Sequence, residues 1–270
     1  YFIIMMLFAS WCFLKFSKEA AIGIILFSIF IYFGLTNMPW LPLILIYGLI
    51  GFKIGGLKLS LTIVASFLFI TFTGVLPQAL LSIYLCGIAV IISFILGSSL
   101  GIWAAHNDKV SAFMRPINDT MQTMPSFVIL IPFVMFFGIG EFTALLAIIA
   151  YAFVPALRYT EHGLRNLPET VIEAARMIGC SQTQLLWKVK IPLAMPVIML
   201  GLNQTIMFGL AMLVIAALVG TTGLGQLIYI GLSKADFGTG MISGVSIALI
   251  AIIFDRTTQA WRIKLEKITN

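Results

Sequence analysis

Apolar runs long enough to cross a bilayer recur along this chain, and a polar, charged island from Glu169 to Pro196 stands between them. A hydrocarbon layer roughly 30 Å thick requires about 20 apolar residues in a helix, and lipid offers no partner to an unpaired backbone group. The chain must therefore be all-α, a polytopic transmembrane helical bundle. Composition excludes the soluble alternative, since 61% of the 270 residues are hydrophobic and 10% charged, at a mean hydropathy of +1.10. Candidate spans fall near 1–14, 20–36, 40–52, 57–75, 79–105, 121–138, 141–157, 194–220 and 241–256. Tyr1 lies inside an apolar stretch, so we expect the natural chain to begin earlier.

Charge placement tests this parsing. If spans alternate and the polar island faces the cytoplasm, 15 of the 16 basic residues fall inside and only Lys234 falls outside. The positive-inside rule expects this asymmetry, which also accounts for the net charge of +6 without nucleic acid as a partner. The C-terminus is then cytoplasmic and residue 1 external. Asp, Glu, Lys and Arg all fall at span ends or in loops, whereas ion-coupled carriers keep ionisable groups at membrane depth. The segment Gly51–Ser60 imitates a phosphate loop but misplaces the lysine. Energy must then be received from a separate chain. Cys12, Cys86 and Cys180 show no metal-ligand spacing, and we expect no disulfide, no metal site, no cofactor and no catalytic residue.

The polar island reads as two short helices built for docking. Pro168 and Glu169 suit a first turn, and Val171, Ala174, Ala175 and Ile178 share one face. Gly179 ends that helix, Ser181 with Gln184 caps a second, and Pro192 is expected to interrupt the chain before the next apolar run. The run resembles the EAA loop of ABC importer permeases, with Glu173, Ala174, Ala175, Gly179 and Pro192 at the motif's positions. From Leu76 to Arg262 the likeness narrows: residues 119–140, 192–205, 220–226 and 255–261 are similar to blocks of glycine betaine/proline betaine permeases. The resemblance implies a type I ABC importer permease fold in a bacterial plasma (inner) membrane, with the loop cytoplasmic. It also implies cytoplasmic ABC ATPase subunits, an extracytoplasmic substrate-binding protein and a second permease copy as partners. Residues 1–75 would form an N-terminal transmembrane extension, 76–262 the transmembrane domain with its coupling loop at 158–192, and 263–270 a cytoplasmic tail.

The implied function is ATP-driven import of glycine betaine, proline betaine or a related quaternary amine, the ATP being hydrolysed elsewhere. Choline, carnitine or trimethylamine N-oxide are alternatives within the family, and an ion-coupled secondary carrier or a lone scaffold protein are alternatives outside it. Other residues carry two readings each. Gly223 and Gly225, in the outer stretch 220–226, read first as a flexible turn and second as a gate. Asn203 and Gln204 lie about ten residues into a span and read first as helix–helix hydrogen-bonding groups, second as pathway residues. Phe133 and Phe137, with Phe136 and Phe208, read first as packing, although an aromatic face attracts a quaternary ammonium. His106 and His162 read as solvated loop residues. Gly97 and Gly101 have the spacing of a close helix crossing.

Overall fold

The computed structural model describes residues 39–269, with side chains to Glu266, so the spans expected at 1–14 and 20–36, with Cys12, lie outside the described residues. The described secondary structure is helical throughout. The first helical run, α1 (Trp40–Phe72), is broken at Gly56, whose φ of 75° and ψ of −165° lie outside the helical region. The chain reverses there. Ser60 Oγ donates to the Gly48 carbonyl at 2.9 Å, and the Tyr47 and Phe67 rings lie 5.2 Å apart, contacts that a straight helix could not make. The spans expected at 40–52 and 57–75 are thus the two arms of one tight hairpin.

Helices α2 (Leu76–His106) and α5 (Glu141–Arg165) form a parallel pair at the centre of the molecule. Glycine makes this possible. A Cβ on Gly97 would stand 2.5 Å from the Phe153 carbonyl oxygen, and one on Gly101 would stand 2.7 Å from that of Leu157. The expected close crossing is therefore present, and Ser93 Oγ adds a bond to the Ile149 carbonyl at 3.3 Å. Between the pair lie α3 (Asp108–Thr123) and α4 (Ser126–Phe137), bent by 102° at Met124 and Pro125. This corrects the span expected at 121–138. Its apolar part, α4, has 12 residues, about 18 Å, and an amphipathic helix that apolar-run reading missed precedes it. Helix α5 also continues past 157, so Arg158, Glu161, His162 and Arg165 belong to its last turns, and the loop proper begins only at Asn166.

After α6 (Glu169–Met177), the chain runs without a break from Gln182 to Val219 as α7. The interruption expected at Pro192 does not occur. Residues Leu185–Lys190 form a π-helical turn, and Ile191 N donates to Leu186 O, five residues back. The wider turn relieves the clash between a proline ring and the carbonyl four residues earlier, so Pro192 sits in the first turn of the following α segment. Helix α7 packs antiparallel on α5, with Gly201 against Tyr159 and Gly209 against Val90 and Cys86 of α2. Leu145, Ile148, Met212 and Leu213 are buried where the three helices meet.

The short apolar helix α8 (Leu224–Ser233) and the long α9 (Phe237–Thr269) close the bundle. They meet at Gly231, where a Cβ would stand 2.6 Å from Gly240 N. Lys264 Nζ donates to the Lys53 carbonyl at 2.6 Å, which ties the tip of hairpin α1 to the end of α9. Lys53, Lys58 and the basic tail of α9 thereby lie at the same end of the bundle as the loop, with Lys234 at the other. If the Gly97 crossing holds α2 to α5, Gly97→Leu should destabilise the purified protein by about 1–3 kcal/mol. Gly87→Ala, on the same helix with nothing within 4 Å of the new methyl, should be neutral or stabilising by up to about 1 kcal/mol. Denaturant titration in mixed micelles measures both.

Candidate functional site

The loop is ordered by its own caps. Pro168 precedes the first turn of α6, and Ile178 caps its C-terminus. Gly179 adopts φ of 88°, with Gly179 N donating to Arg176 O at 2.9 Å and Cys180 N to Ala175 O at 3.2 Å. These two bonds constitute a Schellman motif, which satisfies the last carbonyls of α6 and reverses the chain. Ser181 then caps α7 through a full capping box: Gln184 N donates to Ser181 Oγ at 3.3 Å, and Ser181 N donates to Gln184 Oε1 at 3.0 Å. The stop and restart expected from the sequence are both present. The helix that restarts at Ser181, however, is the membrane helix itself. At 38 residues α7 is about 57 Å long, nearly twice the hydrocarbon thickness, so its first turns project from the bundle as one piece with the span.

The face assigned from spacing divides in the structure. Ala175 is buried against the π-helical turn beside Leu185, while Val171, Ala174 and Ile178 stay exposed. Met177 at 89% exposure, Ile178 at 85% and Trp187 at 62% are large apolar side chains left bare in and just after the loop. Met177 and Trp187 were missed because neither falls on the i, i+3, i+4, i+7 pattern. Glu173 is exposed and takes part in no ion pair among the described residues. Bare apolar side chains rimmed by charge mark a docking surface.

Polar contacts strap α3 across the end of α5 beside this loop. Arg158 pairs with Asp119 and donates to Gln122 Oε1 at 2.6 Å. Arg165 meets Asp108 at 2.8 Å, Glu161 at 3.1 Å and the Ala104 carbonyl at 2.7 Å, while Ser111 Oγ donates to Glu161 at 2.5 Å. Exposed pairs contribute little singly, but this set fixes three helix ends to one another. A cleft of about 760 Å³ opens between α3 and α5, lined by Arg115, Asn118, Tyr159 and His162 among others. At the opposite end Asp236 caps α9. The Thr239 hydroxyl, at 2.6 Å, and then the Thr239 backbone N–H, at 3.2 Å, hold its carboxyl below the usual carboxylate range.

The remaining sequence-derived candidates do not converge on one site. Asn203 is buried and bonded to α9, while Gln204 beside it is half-buried. Gly223 and Gly225 are buried packing positions, not an exposed turn: a Cβ on Gly223 would stand 2.5 Å from Ser82 Oγ, and Leu224 N donates to that hydroxyl at 2.8 Å. Thr222 hydrogen-bonds Glu141 across the same surface. Phe133 packs on the core, Phe208 stacks on Tyr151 at 5.0 Å, and Phe137 meets Phe142 edge-on at 5.1 Å. His106 and His162 are exposed.

Residues 97–259 match the family model described as binding-protein-dependent transport system inner membrane component. The glycine betaine/proline betaine transport system permease protein of Escherichia coli is 40% identical over 226 residues, covering 84% of this chain and 64% of that protein. The trimethylamine N-oxide transport system permease protein of Pelagibacter ubique is 42% identical and covers 83% and 31%. The glycine betaine transport system permease protein of Bacillus subtilis is 36% identical and covers 86% and 82%. The chain thus spans under two thirds of the length of the first two relatives. Among solved structures, an inward-facing MetNI methionine ABC transporter superposes with a TM-score of 0.59 at 20% identity, over 70% of this chain and 94% of that one. That likeness is one of fold.

A Cβ at Gly179 would meet nothing within 4 Å, so substitution there tests backbone conformation alone. Gly179→Val should weaken the end of α6 by about 1–3 kcal/mol, and Gly179→Asn by less. Faster hydrogen exchange at Arg176–Ser181, with the bundle unchanged, is the expected readout.

Proposed function

The chain belongs to the family of binding-protein-dependent transport system inner membrane components, and from that premise we propose that it is the permease subunit of an ATP-driven importer for glycine betaine, proline betaine or a related methylated amine. The family match and the candidate spans among the described residues make it a multi-pass protein of the inner membrane. The observation that carries the reading is the loop. A capped helix with Glu173 and Ala174 exposed is joined through Gly179 and a rigid restart to a membrane helix about 57 Å long, so a push on α6 becomes a displacement of α7. Cytoplasmic ATPase subunits supply that push, and an extracytoplasmic binding protein delivers substrate to the far end. A second permease copy completes the path.

In this reading Glu173, Ala174, Ala175, Gly179 and Pro192 serve coupling in different ways. Glu173 and Ala174 meet the ATPase, Ala175 holds α6 on α7, Gly179 sets the reversal, and Pro192 maintains the π-helical turn. The substrate assignment rests on the relatives, whose names include betaines and trimethylamine N-oxide. All of these are small methylated amines. The loop-bearing end, which carries Lys53, Lys58, Arg158, Arg165, Arg176, Lys188, Lys190 and Lys264, faces the cytoplasm, and Lys234 lies outside.

Two measurements test this. In proteoliposomes with the cognate ATPase and binding protein, wild type should take up betaine only with ATP, and Glu173→Ala should lower uptake at least tenfold, since losing one partner of a buried interface charge pair costs roughly 2–5 kcal/mol. Accumulation by the isolated chain under an ion gradient would establish a secondary carrier instead. In intact cells, single cysteines at Asn166 and Thr183 should resist an impermeant thiol reagent, and one at Gly238 should react. The reverse pattern inverts the topology.

A further inference from the structure

An ionisable side chain sits where two membrane helices meet, and helix packing alone does not require it. Asp255 lies 18 residues into α9, about 27 Å along it from Phe237, with its side chain 27% exposed. Asn203 of α7 donates Nδ2–H to Asp255 Oδ1 at 2.9 Å, and its own Oδ1 accepts from Thr258 Oγ1 at 2.6 Å. Gln259 Nε2 reaches both Asp255 oxygens at 2.8 Å. The amide orientation of Asn203 is fixed by chemistry, because turning it over would set its carbonyl against a carboxylate. Both functional atoms of one α7 side chain are therefore committed to α9. Apolar surfaces can slide past one another, but this pairing has one register, and with Asn203 buried and Asp255 mostly covered water has little access to it.

We propose that Asn203 and Asp255 form the joint through which α7 carries α9 with it, making both positioning residues for transport. The proposal rests on the coupling role assigned to the loop, because α7 is the helix that the loop moves. Helix α9 in turn holds hairpin α1 through Lys264 and the Lys53 carbonyl, so displacement at the loop would reach a segment that lies before the matched stretch 97–259. Thr258 secures the acceptor side of the Asn203 amide. Gln259 keeps the Asp255 carboxylate bonded within its own helix.

The test uses the whole transporter in proteoliposomes with radiolabelled glycine betaine, and reads ATP hydrolysed per betaine taken up. Asn203→Leu should raise that ratio at least fivefold and Thr258→Val two- to threefold, whereas a purely structural lesion would lower hydrolysis and uptake together. The exchange Asn203→Asp with Asp255→Asn preserves a donor and an acceptor across the joint and should return the ratio to within twofold of wild type. An unchanged ratio in Thr258→Val, or an exchange variant that assembles but remains uncoupled, overturns the proposal, and both outcomes are readable even if Asn203→Leu fails to assemble. A second readout is independent of substrate. Spin labels at the exposed positions Thr183 and Trp261 should keep one distance through the ATP cycle in wild type and in the exchange variant. A wild-type distance that changes by more than about 5 Å, roughly one helical turn, refutes the joint. Failure of wild-type uptake with a constant distance refutes the transport reading alone.

Discussion

Hydrocarbon supplies no hydrogen-bond partner, and this single deficit organises the chain. Each backbone N–H and C=O inside the membrane has to be paired within the protein, which leaves helices as the spanning element and makes every departure from helix costly. Departures among the described residues fall at glycines and bundle ends. Gly56 turns the α1 hairpin at the bundle end, beside Lys53 and Lys58, and the reversal at residues 220–223 is closed by Leu224 N donating to Ser82 Oγ. Pro192 follows the π-helical turn, which absorbs its lost donor, whereas Pro116, Pro132, Pro155 and Pro196 lie inside helices that continue past them.

The same deficit removes the hydrophobic effect as a reason for helices to associate, so close approach must replace it. Glycine at positions 97, 101, 201, 209 and 231 brings backbones within reach of one another, and dispersion over those contacts holds α2, α5, α7 and α9 in place. Polar pairs then choose the register: Ser93 to the Ile149 carbonyl, and Asn203 to Asp255 and Thr258. A bundle joined by fixed-register contacts resists continuous deformation. Large apolar side chains on α1 and α4 remain exposed, as lipid-facing or subunit-facing surfaces require.

The loop draws its rigidity from local chemistry, not from the core. Few of its residues are buried, yet the Schellman bonds at Gly179 and the capping box at Ser181 leave little freedom between α6 and α7. The exposed apolar side chains of Val171, Met177, Ile178 and Trp187 are thereby carried on two helical segments joined by a fixed turn. Such a connection leaves little loop entropy between α6 and α7.

Much of this was legible in the sequence, because hydrocarbon thickness and helix caps act over short stretches of chain. Apolar run length gave the membrane class and most spans, charge asymmetry ordered the ends, and the residues Pro168, Gly179, Ser181 and Gln184 announced a helix stop and restart by local rules. Three outcomes depended on tertiary structure. Whether Pro192 breaks a helix depends on the register of the turns before it, which a π-helical turn resets. The amphipathic helix α3 has too little apolar length to register as a span and is placed by Arg158 and Arg165, residues 35 or more positions away in sequence. Gly223 and Gly225 read as a flexible turn until Ser82 and Leu213 are seen packed on them. The partners of Asn203, more than 50 residues along the chain, were equally out of reach, since composition can say that a polar group in a membrane needs a bond but only the packing of α7 on α9 decides where it is found.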